Sequence, residues 1–369
     1  MSGAPSVIVV GAGIVGAACA QALAQAGCAV ELVDASFVGS GATGAAMGHL
    51  VVMDDSEAQF ALTALSRRLW AERVAELPPE VEHQRCGTLW VAADEEEMTH
   101  VRAKAALYAA RGETTRVLEA AELRDAEPGL REGLAGGLLV EDDRVLYPPA
   151  AARALLDGAL RLGARLRTAT VDAVAPGRAH CDGEWLEADH VLVAAGARSA
   201  RLLPELPIVP RKGHLAVTDR YPRAVRHQLV ELGYLKSAHT LTRESVAFNV
   251  QPRATGQLVV GSSRELVGWD ESINRPLLAR MLARALEYLP GLATSSVLRT
   301  WTGFRPATPD SRPLVGAWEP RLWVAAGHEG LGITTAPGTA QLLASLLLGH
   351  TPPLDPTPFD PRRAMPTDV

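Results

Sequence analysis

Short apolar runs and an alanine-rich segment alternate at the start of the chain. The run Ser6–Val10 ends at a glycine and is typical of a buried parallel strand. The segment Ile14–Ala26 favours a helix, which Gly27 would end. A second apolar run, Ala29–Val33, is closed by Asp34. This order predicts a strand–helix–strand unit with two parallel strands.

The rest of the chain predicts further α/β segments that are separated by β-rich material. From Ile208 to Ser263, short β-like runs alternate with turn residues, which is typical of an antiparallel sheet. The other predicted elements are strands at Thr88–Ala92, His190–Ala194 and Leu322–Ala326, and helices at Ser56–Leu77, Glu95–Arg111, Pro148–Leu162 and Pro276–Leu289. We therefore expect an α/β domain with a β-rich domain inserted into it. The first covers 1–80, 146–205 and 301–369, and the second covers 81–145 and 206–300.

Composition and charge argue against several classes of protein. A chain of 369 residues can bury a large core without disulfides or metals. Its formal net charge of −6 argues against a nucleic-acid-binding protein, and no apolar stretch has the length of a membrane span. The cysteines show neither CxxC nor zinc-ligand spacing, so we predict no metal site and no disulfide framework. Together with the lack of a secretory signal pattern, this predicts a cytoplasmic protein.

The segment VIVVGAGIVG carries a GxGxxG motif between the first predicted strand and helix. Gly11 allows a tight turn, Gly13 allows the backbone to approach a pyrophosphate, and Gly16 allows close helix–strand packing. Asp34, at the end of the second strand, can accept hydrogen bonds from a ribose and disfavours a 2′-phosphate. The motif in this context predicts a dinucleotide site but does not separate NAD from FAD.

Four longer stretches carry a family resemblance. They read FVGSGATGAAMGHL from Phe37, LVAAGARS from Leu192, TGFRPATPDSRPLVG from Thr302 and WVAAGHEGLGITTAP from Trp323. Together with the N-terminal motif, they resemble the D-amino-acid oxidase/glycine oxidase (DAO) family of FAD-dependent oxidoreductases. The resemblance implies an α/β fold with a Rossmann-type FAD-binding domain of discontinuous segments and an inserted antiparallel β-rich substrate domain.

The resemblance also implies which residues hold FAD. Those expected at the pyrophosphate and ribose are Gly11, Gly13, Ile14, Val15, Gly16 and Asp34, and those along the diphosphate and flavin are Ser40, Thr43, Ala46, Met47 and Gly48. Val171 would meet the adenine, and Ala195 and Gly196 would close over the cofactor. The pyrimidine edge of the flavin would be wrapped by Gly327, His328, Gly330, Leu331, Gly332 and Ile333. FAD is expected to be non-covalent, because relatives that tether it use a cysteine or histidine at positions that this chain does not match.

On the substrate side, the resemblance implies that Arg305 of the G-x-R-P motif binds a carboxylate, for which a guanidinium offers paired donors; a structural salt bridge is the alternative. His49 either contacts the substrate or packs against the backbone, and Glu329 either holds a cationic amine or caps the following helix. Asn249 stands where a substrate-binding tyrosine is usual. No dedicated catalytic base is expected, because the family's reaction is hydride transfer from the carbon beside a neutral amine to flavin N5.

The GHEGLG motif resembles a subgroup with D-hydroxyproline dehydrogenase and the flavin subunit of hydrogen cyanide synthase. This implies oxidation of a small D-amino or secondary (imino) acid, with electrons passed to a partner subunit that carries a second flavin or an iron–sulfur cluster. The oxygen-activating lysine of sarcosine oxidases is replaced near Val259, and Lys212 and Lys236 are the alternative lysines for the site. The alternative is a self-sufficient oxidase of glycine, sarcosine or a D-amino acid that produces hydrogen peroxide.

Overall fold

The computed structural model describes residues 4–220, 225–233 and 244–363. The chain forms two compact units, each built from separated segments. The first unit consists of Met1–Val81, Tyr147–Arg211 and Phe304–Val369, and the second consists of Glu82–Leu146 and Lys212–Gly303.

Helices and strands are distributed over the whole described chain. The α-helices span Ile14–Gln25, Glu57–Glu72, Glu95–Ala109, Ala120–Ala126, Pro148–Arg161, Ser199–Leu202, Arg275–Tyr288 and Gly332–Leu347. The strands are β1 Ser6–Val10, β2 Ala29–Asp34, β3 His49–Leu50, β4 Thr88–Ala92, β5 Thr115–Glu119, β6 Gly136–Val140, β7 Arg144–Val145, β8 Arg165–Thr168, β9 Val171–Ala175, β10 Arg178–Cys181, β11 Glu184–Glu187, β12 His190–Val193, β13 Val209–Thr218, β14 Gln228–Glu231, β15 Glu244–Pro252, β16 Leu258–Glu265, β17 Val297–Ala307, β18 Leu314–Glu319 and β19 Leu322–Ala326.

The first unit is built on a six-stranded sheet in the order β18-β19-β12-β1-β2-β8. Strand β1 is parallel to both of its neighbours, β12 and β2. The helix Ile14–Gln25 connects β1 to β2 and packs against the helices Pro148–Arg161 and Gly332–Leu347. In open α/β sheets, ligands bind at the carboxyl ends of the strands where the strand order reverses. The end of β1, between β2 and β12, is such a point.

The second unit contains an eight-stranded sheet in the order β17-β13-β16-β15-β14-β4-β6-β5. The helix Arg275–Tyr288 packs on β15 and β16, where the ring of Phe248 stacks on that of Tyr288 at 4.4 Å. The antiparallel pairing predicted for Ile208–Ser263 is present among the described residues, where β13 pairs with β16, β16 with β15 and β15 with β14. A parallel pair in this sheet joins the two segments of the unit, since β4 of the first segment lies beside β14 of the second.

The structure confirms the predicted α/β fold and corrects several details. The helix predicted over Ser56–Leu77 ends at Glu72, and a 3₁₀ turn, Val74–Glu76, follows it. Ser56 caps this helix, because its hydroxyl accepts a hydrogen bond from the N–H of Gln59. The small sheet of β9, β10 and β11 has no counterpart in the sequence prediction. Across the described ranges, no helix is both long enough and apolar enough to cross a membrane.

Candidate active site

The turn after β1 requires glycine at two of the motif positions, because a side chain there would collide with the backbone. Gly11 has φ +112°, and a Cβ placed there would lie 2.5 Å from the carbonyl oxygen of Ala194. A Cβ on Gly16 would lie 1.9 Å from the carbonyl oxygen of Gly11. Both distances are far below van der Waals contact. The glycines therefore bring the start of the helix Ile14–Gln25 directly against the end of β1.

Thr43 lies at the N-terminus of this helix. The N–H of Ile14 donates a hydrogen bond of 3.0 Å to the buried hydroxyl of Thr43. A hydroxyl that accepts one hydrogen bond still has a proton to donate. A Cβ on Gly13 would stand 3.4 Å from the same oxygen, so the glycine turn and the hydroxyl adjoin. Free N–H groups, a partial positive charge and a hydroxyl donor together suit a diphosphate.

Replacing Thr43 by valine is expected to weaken FAD binding by about tenfold or more, because a hydrogen bond to a charged group contributes roughly 1.5–3 kcal/mol. Thr43→Ser keeps the hydroxyl and is the matched control. Reconstitution of apoprotein with FAD, followed by flavin fluorescence, gives both dissociation constants. Equal affinities for the two variants would show that the Thr43 hydroxyl does not contact the cofactor.

Asp34 is fixed at the carboxyl end of β2. Its two carboxylate oxygens accept hydrogen bonds from the N–H groups of Ala12 at 2.6 Å and Ser36 at 2.8 Å. A carboxylate has about four lone-pair positions, so acceptor capacity remains for ribose hydroxyls. The carbonyl oxygen of Asp34 accepts from the N–H of Ala169, which brings the start of β9, Val171, close to the same end of the sheet. This arrangement fits the adenosine part of FAD.

Two loops flank the turn after β1. The N–H of Ala194 donates to the carbonyl of Val10, which places Ala195 and Gly196 beside the glycine turn. On the other side, Gly39 N–H donates to the carbonyl of Ala12, which anchors the loop that continues through Gly48. The remaining predicted cofactor residues of this loop are Ser40, Ala46 and Met47. The loop ends at His49, whose carbonyl accepts from the Thr334 hydroxyl at 2.8 Å.

The C-terminal motif ends in a helix whose first turn lacks a side-chain cap. Gly327 has φ +77°, and the N–H of Leu331 donates to the carbonyl of His328 at 2.9 Å. The helix then begins at Gly332, and the N–H groups of Gly332 and Ile333 have no partner within it because they lie in its first turn. Such a helix N-terminus stabilises negative charge. It suits the pyrimidine edge of a reduced flavin.

The side chain of His328 points into the protein interior. It is buried, and its Nε2 is hydrogen-bonded to the hydroxyl of Thr339 at 3.0 Å. Burial lowers the pKa of His328 to about 3, so the ring is neutral at pH 7. We therefore expect His328 to contact the cofactor through its backbone and not through its side chain.

Because His328 is buried in its neutral form, we expect the free energy of unfolding to fall in acid. The unfolded chain takes up a proton near pH 6.5, whereas the folded protein does not until about pH 3. The free energy of unfolding should therefore fall by about 2 kcal/mol between pH 7.5 and 5 from this residue alone. Urea unfolding at both pH values checks this. His328→Gln should remove that part of the pH dependence, and an unchanged slope would contradict the prediction.

Arg305 and His49 lie near each other in the first unit. Burial, and secondly the positive charge of Arg305, lower the pKa of His49 to about 4. The ring Nε2 of His49 is inaccessible and has no hydrogen-bond partner among residues that the structure describes. Arg305 also borders the C-terminal motif, since a Cβ on Gly330 would stand 3.7 Å from its Nε. The structure thus brings together three of the predicted residues.

Glu329 forms an ion pair that sequence reasoning missed. Its Oε1 accepts a hydrogen bond of 2.5 Å from Nη1 of Arg211, and both side chains are largely buried. Glu329 has φ +49°, and its N–H donates to the carbonyl of Pro306 at 3.0 Å. The alternative of a helix cap does not hold, because the N-cap residue is Leu331 and no side chain caps that helix. The two partners are 118 residues apart, so no local sequence signal could reveal them.

Asn249 and Lys212 belong to the second unit. Asn249 lies on β15 opposite Val230 and Gly261, and its buried Oδ1 has no partner within the described part of the chain. Lys212 is fully buried, and its Nζ lies 3.3 Å from Glu265 and 3.0 Å from Asp270. These contacts give Lys212 a structural role within its own unit. Lys236 lies outside the described residues.

Comparisons with known proteins agree with this geometry. A model of the family described as FAD dependent oxidoreductase (DAO) matches residues 6–346. The glycine oxidase of Pseudomonas aeruginosa is 31% identical over 395 residues, which cover 96% of this chain and 98% of the relative. The hydrogen cyanide synthase subunit HcnC of the same species is 27% identical over 416 residues and covers 98% of this chain and 96% of its own.

A solved structure shows the same fold. The crystal structure of glycine oxidase from Geobacillus kaustophilus superimposes with a TM-score of 0.88 at 26% identity, covering 98% of this chain and all of that chain. The expected cofactor, FAD, is thereby confirmed, as is the enzyme class. This chain belongs to the DAO family of FAD-dependent oxidoreductases.

Proposed function

We propose that this enzyme oxidises the C–N bond of a small amino or secondary (imino) acid. The observation that carries the proposal is the position of Arg305, which lies beside Gly330 of the C-terminal motif and close to His49. A guanidinium in this place can bind a substrate carboxylate through two parallel hydrogen bonds. The glycine oxidases that resemble this chain act, by their name, on an amino acid.

In the proposed reaction, the protein binds and orients the substrate and the cofactor. Bound FAD supplies the hydride acceptor at flavin N5. Arg305 neutralises and orients the carboxylate, which places the adjacent carbon for transfer. His49, neutral at pH 7 because of its low pKa, adds no positive charge that would oppose the loss of hydride. Asn249 is proposed as a further substrate contact, and no residue is assigned as a catalytic base.

The finer part of the proposal concerns the substrate and the electron acceptor. We propose a D-amino or imino acid such as D-hydroxyproline, non-covalent FAD, and transfer of electrons to a partner subunit with a second flavin or an iron–sulfur cluster. HcnC, which is similar along nearly its whole length, is itself named as a subunit. Val259 in place of the sarcosine-oxidase lysine supports slow reaction with oxygen. The four cysteines are unpaired thiols, which supports a cytoplasmic location.

A self-sufficient oxidase of glycine, sarcosine or a D-amino acid is the second candidate. The observation that favours it is the similarity to glycine oxidase, which extends over 96% of this chain. Such an enzyme would return its electrons directly to oxygen and release hydrogen peroxide.

One experiment distinguishes the two candidates. The purified yellow protein is mixed without oxygen with D-proline, cis-4-hydroxy-D-proline, sarcosine, glycine or D-alanine, and the flavin absorbance near 450 nm is followed before air is admitted. Bleaching by a cyclic substrate with slow recovery in air supports the partnered dehydrogenase. Immediate recovery with peroxide formation supports the oxidase. Absence of bleaching with every compound would contradict the proposed substrate class.

A further inference from the structure

Glu329 has one carboxylate oxygen that the protein does not use. Arg211 donates to Oε1, whereas Oε2 is buried and has no hydrogen-bond partner among the described residues. The side chains of Arg211 and Glu329 are only 14% and 10% exposed, so water does not freely solvate the pair. A buried carboxylate oxygen without a donor is energetically costly. This position therefore suits a donor that arrives with a ligand.

The unused oxygen belongs to a residue next to the proposed carboxylate site. The N–H of Glu329 donates to the carbonyl of Pro306, which directly follows Arg305 in the chain. Gly330, the next residue after Glu329, lies against the Arg305 side chain. A negative and a positive side chain thus extend from neighbouring backbone segments of one unit. An amino acid carries the matching charges, a carboxylate and an ammonium, on a single carbon.

We propose that Glu329 accepts a hydrogen bond from the ammonium group of the substrate whose carboxylate pairs with Arg305, and that Arg211 is the residue that positions Glu329. This inference rests on the proposed function, because it requires an amino-acid substrate. Hydride transfer proceeds from the neutral amine, and that form still carries an N–H, so the hydrogen bond to Glu329 persists. Arg211 holds Oε1 and leaves Oε2 for the ligand.

The test compares ligands that differ only in the amine. Each amino acid that bleaches the wild-type flavin is paired with its amine-free carboxylate: D-proline with cyclopentanecarboxylate, D-alanine with propionate, or glycine with acetate. With the holoenzyme, the amino-acid dissociation constant comes from the saturation of anaerobic flavin reduction, and that of the carboxylate from the flavin absorbance change. Glu329→Gln should weaken amino-acid binding about ten- to hundredfold, as expected for a hydrogen bond to a charged group. Binding of the amine-free carboxylate should stay the same.

Variants of Arg211 test its positioning role. Arg211→Lys keeps a cation beside Glu329 and should preserve most of the preference for the amine-bearing ligand, whereas Arg211→Met should lose it. The double variant R211M/E329Q removes both charges together, so it avoids an unpaired buried charge and should fold. It should show the same loss of amine preference as Glu329→Gln.

Three sets of results separate this inference from the function on which it rests. If Glu329→Gln and the double variant retain the full amine preference, or if they weaken both ligands equally, the inference is overturned and the pair is structural. If Arg305→Met leaves both ligands bound as in the wild type, the carboxylate site itself is wrong. If no amino acid bleaches the wild-type flavin, the proposed function fails and the inference fails with it.

Discussion

Replacing Arg305 by methionine is expected to lower the second-order rate constant for anaerobic flavin reduction by about a thousandfold. Removing one partner of a desolvated, hydrogen-bonded charge pair costs about 2–5 kcal/mol, because the other charge is then left without a partner. In this enzyme the partner is the substrate carboxylate, and Arg305 lies beside Gly330 at the C-terminal motif. Stopped-flow measurement with the best substrate of the panel gives the rate constant.

Two controls belong to the Arg305 experiment. Arg305→Lys keeps the positive charge but not the planar pair of donors, so its rate constant should fall between those of the wild type and Arg305→Met. The FAD content of both variants should match the wild type. A methionine variant that reduces its flavin at the wild-type rate would show that Arg305 forms only a structural salt bridge.

Replacing Gly16 by alanine is expected to abolish FAD retention and to lower the free energy of unfolding by about 3 kcal/mol or more, since overpacking against rigid neighbours has costs of this order. The added Cβ would lie 1.9 Å from the carbonyl oxygen of Gly11, which is backbone and cannot rotate away. The helix Ile14–Gln25 would have to move away from β1, and its N-terminus would then be displaced from the diphosphate site. The ratio of flavin to protein absorbance and urea unfolding measure the two effects.

Gly41→Ala is the matched control for Gly16→Ala. It makes the same chemical change in the loop after β2, but among the described residues no atom other than those of Gly41 and its chain neighbours lies within 4 Å of the added Cβ. This variant should retain its FAD and its stability. If Gly16→Ala also purified with a full complement of FAD, the close packing of helix and strand would not be needed for the cofactor.

The parts of the structure that the sequence predicts are those governed by local geometry. Strands β4 and β19 have the predicted bounds, because each is a short apolar run between turn residues. The dinucleotide turn is predictable from its motif, since a Cβ on Gly11 or Gly16 would collide with a backbone carbonyl oxygen. The helix that begins after Ser56 shows the limit of this reasoning, because its periodicity continues past its true end at Glu72.

The parts that the sequence does not predict depend on residues far apart in the chain. Arg211 pairs with Glu329, which lies 118 positions later in the sequence. No local motif around either residue indicates that the other is its partner. The burial of Lys212 between Glu265 and Asp270 is equally invisible, because its neighbours come from a strand and a loop later in the chain. The parallel pairing of β4 with β14 has the same origin.

The interleaved order of the two units has a consequence for synthesis of the chain on the ribosome. When β4 has emerged, more than a hundred residues must still be synthesised before its parallel partner β14 is complete. The separation in sequence between β1 and its partner β12 is longer still. Both sheets therefore pass through a stage in which central strands have unpaired edges, which favours aggregation. No single cut of the chain yields two fragments that each contain a complete unit. Expression of separate halves should fail for this reason, whereas a full-length chain supplied with chaperones should not.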